Sequence, residues 1–160
     1  MQKIFFRKKN QLLIILLLLF MSCGQKKEQP ADQKASKCLE LKEVDREFSE
    51  MSKKEGMKSA YIEFLDSNGV ILRTNELPIV GANAIDYLIQ QNDADYMLTW
   101  DPQHAEIAES GELGITYGIF FMKSKQIDTS FYGTYTNVWK KQSDGKWKLF
   151  LNTFNTGLGN

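Results

Sequence analysis

Residues 131–154 constrain this chain more than any other stretch. Tyr132-Gly-Thr-Tyr-Thr-Asn-Val-Trp139 and Lys146-Trp-Lys-Leu-Phe-Leu-Asn-Thr153 are both rich in aromatic and β-branched residues, which suit a pleated, half-buried surface. Gln142-Ser-Asp-Gly145 lies between them, and an Asp-Gly pair flanked by strand-like runs is a strong hairpin signal. Two closures are open, a two-residue turn or a longer bulged loop. Alternation puts Tyr135, Asn137 and Trp139 on one face and Thr134, Thr136 and Val138 on the other. A one-residue change of register reverses which face of 146–153 joins Trp139. Whatever else folds must pack against this ribbon or extend it.

Upstream, the pattern runs from helices to strands. From residue 39, Leu41, Val44, Phe48 and Met51 recur at three- and four-residue steps, with Lys42, Glu43, Asp45, Arg46 and Glu47 between them. That is an amphipathic helix facing a core, ended or bent at Gly56. A second helix is expected over 57–65, with Ala60, Tyr61, Phe64 and Leu65 inward. Asp66-Ser-Asn-Gly69 reads as a turn and 70–72 as the first strand. Residues 77–80 form an edge-like segment because Pro78 cannot donate to a ladder. A third helix is expected over 84–91, then strands over 96–108, broken or bulged near Asp101-Pro102, and over 113–122. Helices followed by a run of antiparallel strands indicate an α+β fold with the helices on one face of the sheet.

The first residues read as an address. Lys3, Arg7, Lys8 and Lys9 stand without an acid among residues 1–9, and an unbroken apolar run over 12–21 ends at Ser22-Cys23-Gly24. A basic region, a short apolar region and a small residue before the cut describe a secretory signal peptide. The run is too short for a transmembrane helix, which needs about 20 apolar residues. Leu19-Phe20-Met21-Ser22-Cys23 resembles the lipobox of bacterial lipoproteins. The resemblance implies a signal peptide over 1–22, acylation of Cys23 on its sulfur and its new amino group, and membrane anchoring by two or more chains. Gly24, where an Asp would retain the protein inside, implies the outer membrane of the cell envelope if the cell has two membranes. Residues 25–37 hold no large apolar side chain, so 23–37 is expected to be a flexible tether and 38–160 the folded domain. The chain has 20 basic and 20 acidic residues, and losing the four cations of the leader leaves a net charge of about −4. That argues against nucleic acid as a partner. Cys38 has no second thiol to pair with once Cys23 is acylated.

The order of elements, with these motifs, resembles the NTF2-like superfamily in its DUF4440 / SnoaL-like branch. The matching pieces are Val44-Asp-Arg-Glu-Phe-Ser49, Gly56-Met-Lys-Ser-Ala-Tyr-Ile-Glu-Phe-Leu65, Leu98-Thr-Trp-Asp-Pro102, Gly111-Glu-Leu-Gly-Ile-Thr-Tyr-Gly118 and Val138-Trp-Lys-Lys-Gln-Ser-Asp-Gly-Lys-Trp147. The resemblance implies a cone: a curved antiparallel sheet wrapped around one long and two short helices, open at one end to a pocket. Enzymes of that kind pair a carboxylate base with a hydrogen-bond donor for a developing oxyanion.

Pocket candidates are Tyr61, Thr116, Tyr117, Tyr135, Asn137 and Asn152, with Trp100 and Trp139 as apolar walls; Trp100, Trp139 and Trp147 equally suit a core. Asp101 and His104 are the candidate general bases. A single histidine builds no metal site of recognised spacing, and nothing points to a cofactor. Three readings stand. The cone holds a small apolar or amphipathic ligand or a protein partner at the envelope, or it is an isomerase, dehydratase or cyclase using Asp101 or His104. In the third reading it is a homodimer through the outer sheet face, where Ile115, Ile119 and Phe121 alternate with Phe120 and Met122.

Overall fold

The computed structural model describes residues 30–157; the expected signal peptide, Cys23 and the first part of the expected tether lie outside the described residues. The elements are α1 (Pro30–Glu55), α2 (Met57–Phe64), β1 (Leu65–Ile71), β2 (Ile79–Val80), α3 (Ala82–Gln90), β3 (Tyr96–Ile107), β4 (Leu113–Ser124), β5 (Ser130–Lys141) and β6 (Trp147–Thr156). All strands join one six-stranded sheet in the order β2-β1-β6-β5-β4-β3.

Strands β3 to β6 form the expected antiparallel meander. The sheet is nevertheless mixed, because β1 pairs parallel with β6 and antiparallel with β2. A tight turn forces antiparallel pairing only between consecutive strands, and β1 is separated from β6 by the whole meander. The cluster Asp66-Ser-Asn-Gly69 is a bulge inside β1: Leu65 pairs with Leu149 and Val70 with Leu151, with the intervening residues looped out. Asp66 holds this loop, accepting from the Asn68 amide at 2.8 Å and from Gln142 Nε2 at 2.8 Å.

Helix α1 starts at Pro30, inside the stretch whose composition suggests a flexible tether. Residues 31–37 are exposed, as that composition requires, but proline is well suited to a first helical turn and propagating an anchored helix costs little. Lys34 adds an ion pair to Glu106 of β3. The inward stripe of α1 also differs from the apolar one. Leu41, Asp45, Phe48, Ser49 and Ser52 are buried, while Val44 and Met51 are only partly covered.

The two serines have a clear task. Strand β3 is a sheet edge, and bare edges present unpaired peptide groups. Ser49 Oγ donates to the Trp100 carbonyl at 2.7 Å and accepts from the Trp100 amide at 2.8 Å, and Ser52 Oγ donates to the Leu98 carbonyl at 2.8 Å. The helix thus closes the edge with side chains.

Phe48 is the centre of the core. Its ring meets Trp100 at 4.5 Å, Tyr61 at 4.9 Å and Trp139 at 6.0 Å edge-on, and Phe64 at 5.0 Å, near the edge-to-face separations aromatic pairs prefer. The sheet curls around it through local irregularities. The β3–β4 register shifts between Pro102 and His104, and opposite that bulge Gly118 approaches so closely that a Cβ would sit 2.0 Å from the Asp101 carbonyl oxygen.

The hairpin closes as a bulged loop. The Gly145 amide donates to the Gln142 carbonyl at 2.9 Å, the Gln142 amide to the Lys146 carbonyl at 2.8 Å, and Gly145 takes φ 87°, the left-handed residue such a loop requires. The parity of β6 is settled by a second bulge: Trp139 pairs with Leu149 and Val138 with Leu151, leaving Phe150 unpaired. Trp147 and Leu149 therefore face inward, and past the bulge Asn152 does too.

Candidate functional site

The curled sheet, α2 and α3 leave a cavity of about 170 Å³, whose lining includes Tyr61 and Trp100, the rings that pack on Phe48. Leu88, Leu98, Phe120, Met122 and Phe154 supply apolar walls, and Tyr61, Arg73, Tyr96, Tyr135, Asn137 and Asn152 supply polar groups. An apolar concavity with a few placed polar groups is the usual form of a small-molecule site.

Beneath the cavity lies one connected hydrogen-bond network. Asp45, fully buried on α1, accepts from Trp100 Nε1 at 2.8 Å, Tyr135 Oη at 2.8 Å and Asn137 Nδ2 at 3.0 Å. Asn137 Oδ1 then accepts from Asn152 Nδ2 at 2.7 Å. Asn152 Oδ1 accepts from Tyr61 Oη at 3.0 Å and from Arg73 Nη1 at 2.9 Å. The direction of the chain follows from its start. An indole N–H only donates, so Asp45 Oδ1 is an acceptor, and Asn137 turns its amide nitrogen toward that oxygen and its own oxygen toward Asn152, which repeats the step toward Arg73. Beside it, Trp139 Nε1 donates to Thr116 Oγ1 at 2.8 Å. Among the described residues, no buried side-chain nitrogen or oxygen lacks a partner.

Burial dominates the electrostatics. It raises the Asp45 pKa above the ordinary carboxylate value, against the opposing pull of hydrogen bonds from Thr116, Tyr135, Trp100 and Asn137. Burial, reinforced by the Asp45 charge, raises Tyr135 as well. Tyr61 is raised by burial, with the nearby Arg73 charge pulling the other way. Tyr96 is pushed up to about 12, again chiefly by burial. Tyr61, Tyr96 and Tyr135 are therefore neutral at physiological pH.

The structure sorts the sequence candidates into three places. Tyr61, Trp100, Tyr135, Asn137 and Asn152 line the cavity. Thr116 and Trp139 are buried beneath it, bonded to each other. Tyr117 is 45% exposed on the outer sheet face, because β4 alternates and Thr116 takes the inward position.

Neither proposed base reaches the cavity. Asp101 is exposed, accepts from Gln103 Nε2 at 2.6 Å and lies 3.8 Å from Arg46 Nε. His104 is also exposed, its ring 5.2 Å from that of Tyr117 and its Nε2 3.9 Å from Glu106. The strand alternation that buries Trp100 turns Asp101 outward, and the bulge after Pro102 leaves His104 beside Tyr117. Among the described residues lining the cavity there is no carboxylate and no imidazole, and no cluster of three or more His, Cys, Asp or Glu is placed to hold a metal.

Two residues that matter most went unread in the sequence. Asp45 sits among charges on an amphipathic helix, yet it is four residues after Leu41 and three before Phe48, spacings that share one helix face. Arg73 follows β1 with no motif around it, and only the fold brings it to Asn152.

No protein-family model matches the chain, and neither does any curated protein. Solved structures do resemble it. An NTF2-like protein with a cystatin-like fold from Novosphingobium aromaticivorans superposes with TM-score 0.66 at 14% identity, over 86% of this chain and 94% of that one. A ketosteroid isomerase-like protein from Erwinia carotovora atroseptica gives 0.59 at 10%, over 74% and 95%. An NTF2-like superfamily protein from Salmonella enterica serovar Typhimurium gives 0.58 at 11%, over 78% and 96%. At such identities the likeness is one of architecture, and the architecture of this chain is the NTF2-like fold.

Proposed function

We propose that this chain is an envelope-anchored binding protein whose cone takes up a small apolar or amphipathic molecule. The observation that carries the reading is the composition of the cavity: apolar walls, neutral hydrogen-bonding groups and one guanidinium held in place by one another, and no proton-accepting side chain among its described lining residues. Such a site orients a ligand without transforming it. A general base must come within hydrogen-bond reach of the proton it removes. Asp101 and His104 stand outside the cavity, and Asp45 lies behind Trp100, Tyr135 and Asn137 with its oxygens already taken. The isomerase or cyclase alternative therefore has weaker support here, although two of the structural neighbours are described by reference to ketosteroid isomerase.

The size of the ligand follows from the space. An apolar cavity near 150 Å³ accommodates benzene, so about 170 Å³ suits one ring or a short chain. The anchor belongs to the same proposal: acylated Cys23 holds the cone at the membrane, and residues 24–29 with the exposed start of α1 set its distance from the surface.

Native mass spectrometry of protein purified from its own host, followed by solvent extraction, tests the binding reading directly. A stoichiometric small molecule released on denaturation is expected. Failure to retain any host compound, together with failure to bind any one-ring probe at millimolar concentration, would overturn it. A Cys23→Ser chain that stayed membrane-bound and acyl-labelled would remove the anchor. A turnover found by substrate screening and abolished by Asp101→Asn or His104→Gln, with the fold intact, would establish the enzymatic alternative instead.

A further inference from the structure

We propose that Arg73 makes this cavity selective for a small carboxylate, an aromatic or short aliphatic acid whose body lies between Leu88, Leu98, Phe120 and Met122. The inference rests on the binding reading above and names its ligand class. Arg73 is the only charged side chain among the described residues that line the cavity. It is half-buried, yet none of the eight ion pairs among the described residues involves it. A cation partly removed from water without a counter-charge is costly, and an anionic ligand is what would offset that cost.

The guanidinium is also held ready. Nη1 donates to the Leu72 carbonyl at 2.8 Å and to Asn152 Oδ1 at 2.9 Å, and the group lies 4.5 Å over the Phe154 ring. Guanidinium carries five N–H donors in a planar fork that matches a carboxylate in two parallel bonds. Among the described residues, protein acceptors engage Nη1 alone, which leaves the Nε and Nη2 donors to a ligand. Asn152 cannot turn its amide nitrogen to Arg73 without breaking its bond to Asn137, which the Asp45 carboxylate orients in turn. The buried network thus fixes the anchor, and the hydroxyl of Tyr96, with no protein partner among the described residues, lines the same cavity as a further donor.

The test is a calorimetric titration of the full chain with matched pairs: benzoate against benzamide and benzyl alcohol, and hexanoate against hexanol. The acids are expected to bind at least about tenfold more tightly than their neutral partners, since charge-assisted bidentate bonds are the strong class. Arg73→Gln, which retains a donor for Asn152, is expected to abolish that preference, and Arg73→Lys to retain part of it. Neutral compounds binding as well as acids to the unaltered chain would overturn the assignment of Arg73 while leaving the binding reading intact. If neither acids nor neutral compounds bind, the binding reading falls and this inference with it. The acid-versus-neutral comparison needs no variant, so misfolding of Arg73→Gln would not blunt it.

Discussion

Replacing Asp45 with Asn is the sharpest test of the buried network. Asp45 is fully covered, and burial raises its pKa. Between the ordinary carboxyl value near 4 in the unfolded chain and the raised value in the fold, the native state therefore holds one more proton than the unfolded state. Stability then falls as pH rises, by about 1.4 kcal/mol per pH unit for a single proton. The contribution is fully present below pH 4 and is lost as pH climbs through the folded pKa. An asparagine has no such titration. Its oxygen still accepts from Trp100 and Asn137, and its amide nitrogen faces Tyr135, whose oxygen accepts. The stability of the native chain relative to Asp45→Asn is thus expected to decline from pH 4 upward, measured by urea unfolding at each pH with a shared m-value. Asp45→Ala provides the scale. It strands the Trp100, Tyr135 and Asn137 donors, at about 1–3 kcal/mol for each one left without an acceptor, and we expect a loss of about 3–5 kcal/mol once water enters the space. A difference between native and Asp45→Asn that is flat from pH 4 to 8, or that grows with pH, would refute the reasoning. It would mean that the converging donors outweigh burial and keep the carboxylate ionised.

Other expectations concern the edge and the curl. Ser49→Ala removes both bonds to the Trp100 peptide and is expected to cost about 1–3 kcal/mol; Ser52→Ala, which loses one bond to Leu98, should cost less in the same thermal or urea titration. Hydrogen exchange at the Trp100 amide should rise in the Ser49 variant and not in the Ser52 variant. Gly118→Ala, whose methyl would press on the Asp101 carbonyl, is expected to lose at least about 2 kcal/mol because backbone, not a flexible side chain, must yield.

Much of the fold was legible in residues that repeat a local rule. The hairpin, its inward set of Tyr135, Asn137 and Trp139, the three helices and the bulge near Pro102 all follow from periodicity and turn chemistry. What escaped depends on long-range pairing. Asp66-Ser-Asn-Gly69 does turn the chain, as its composition says, but β1 resumes beyond it because β6 offers a partner on both sides. The facing of Asn152 was undecidable while Phe150 read as an ordinary strand residue, since an unpaired residue reverses parity from that point on. For the site, five cavity-lining residues were named from alternation and chemistry, yet the proposed bases were sought where aspartate and histidine stood out in the sequence. The carboxylate that organises the site was hidden among the charges of α1, and the cation at its other end had no sequence context at all.

The two ends of that network also explain why a helix with so polar a buried stripe is tolerated. A purely apolar inner face on α1 would fill the core, but it would leave the β3 edge without partners and the indole of Trp100 without an acceptor. Ser49 and Ser52 satisfy the edge, and Asp45 satisfies the indole. Once a carboxylate is placed there, its surplus acceptor capacity must be met from the sheet, and Tyr135 and Asn137 meet it. That choice propagates through Asn152 to the cavity wall, where it ends as an oxygen directed at Arg73. Capping the sheet edge and presenting a cation to the cavity are therefore consequences of one helix face, so substitutions on α1 far from the cavity mouth are expected to act on ligand selectivity as well as on stability.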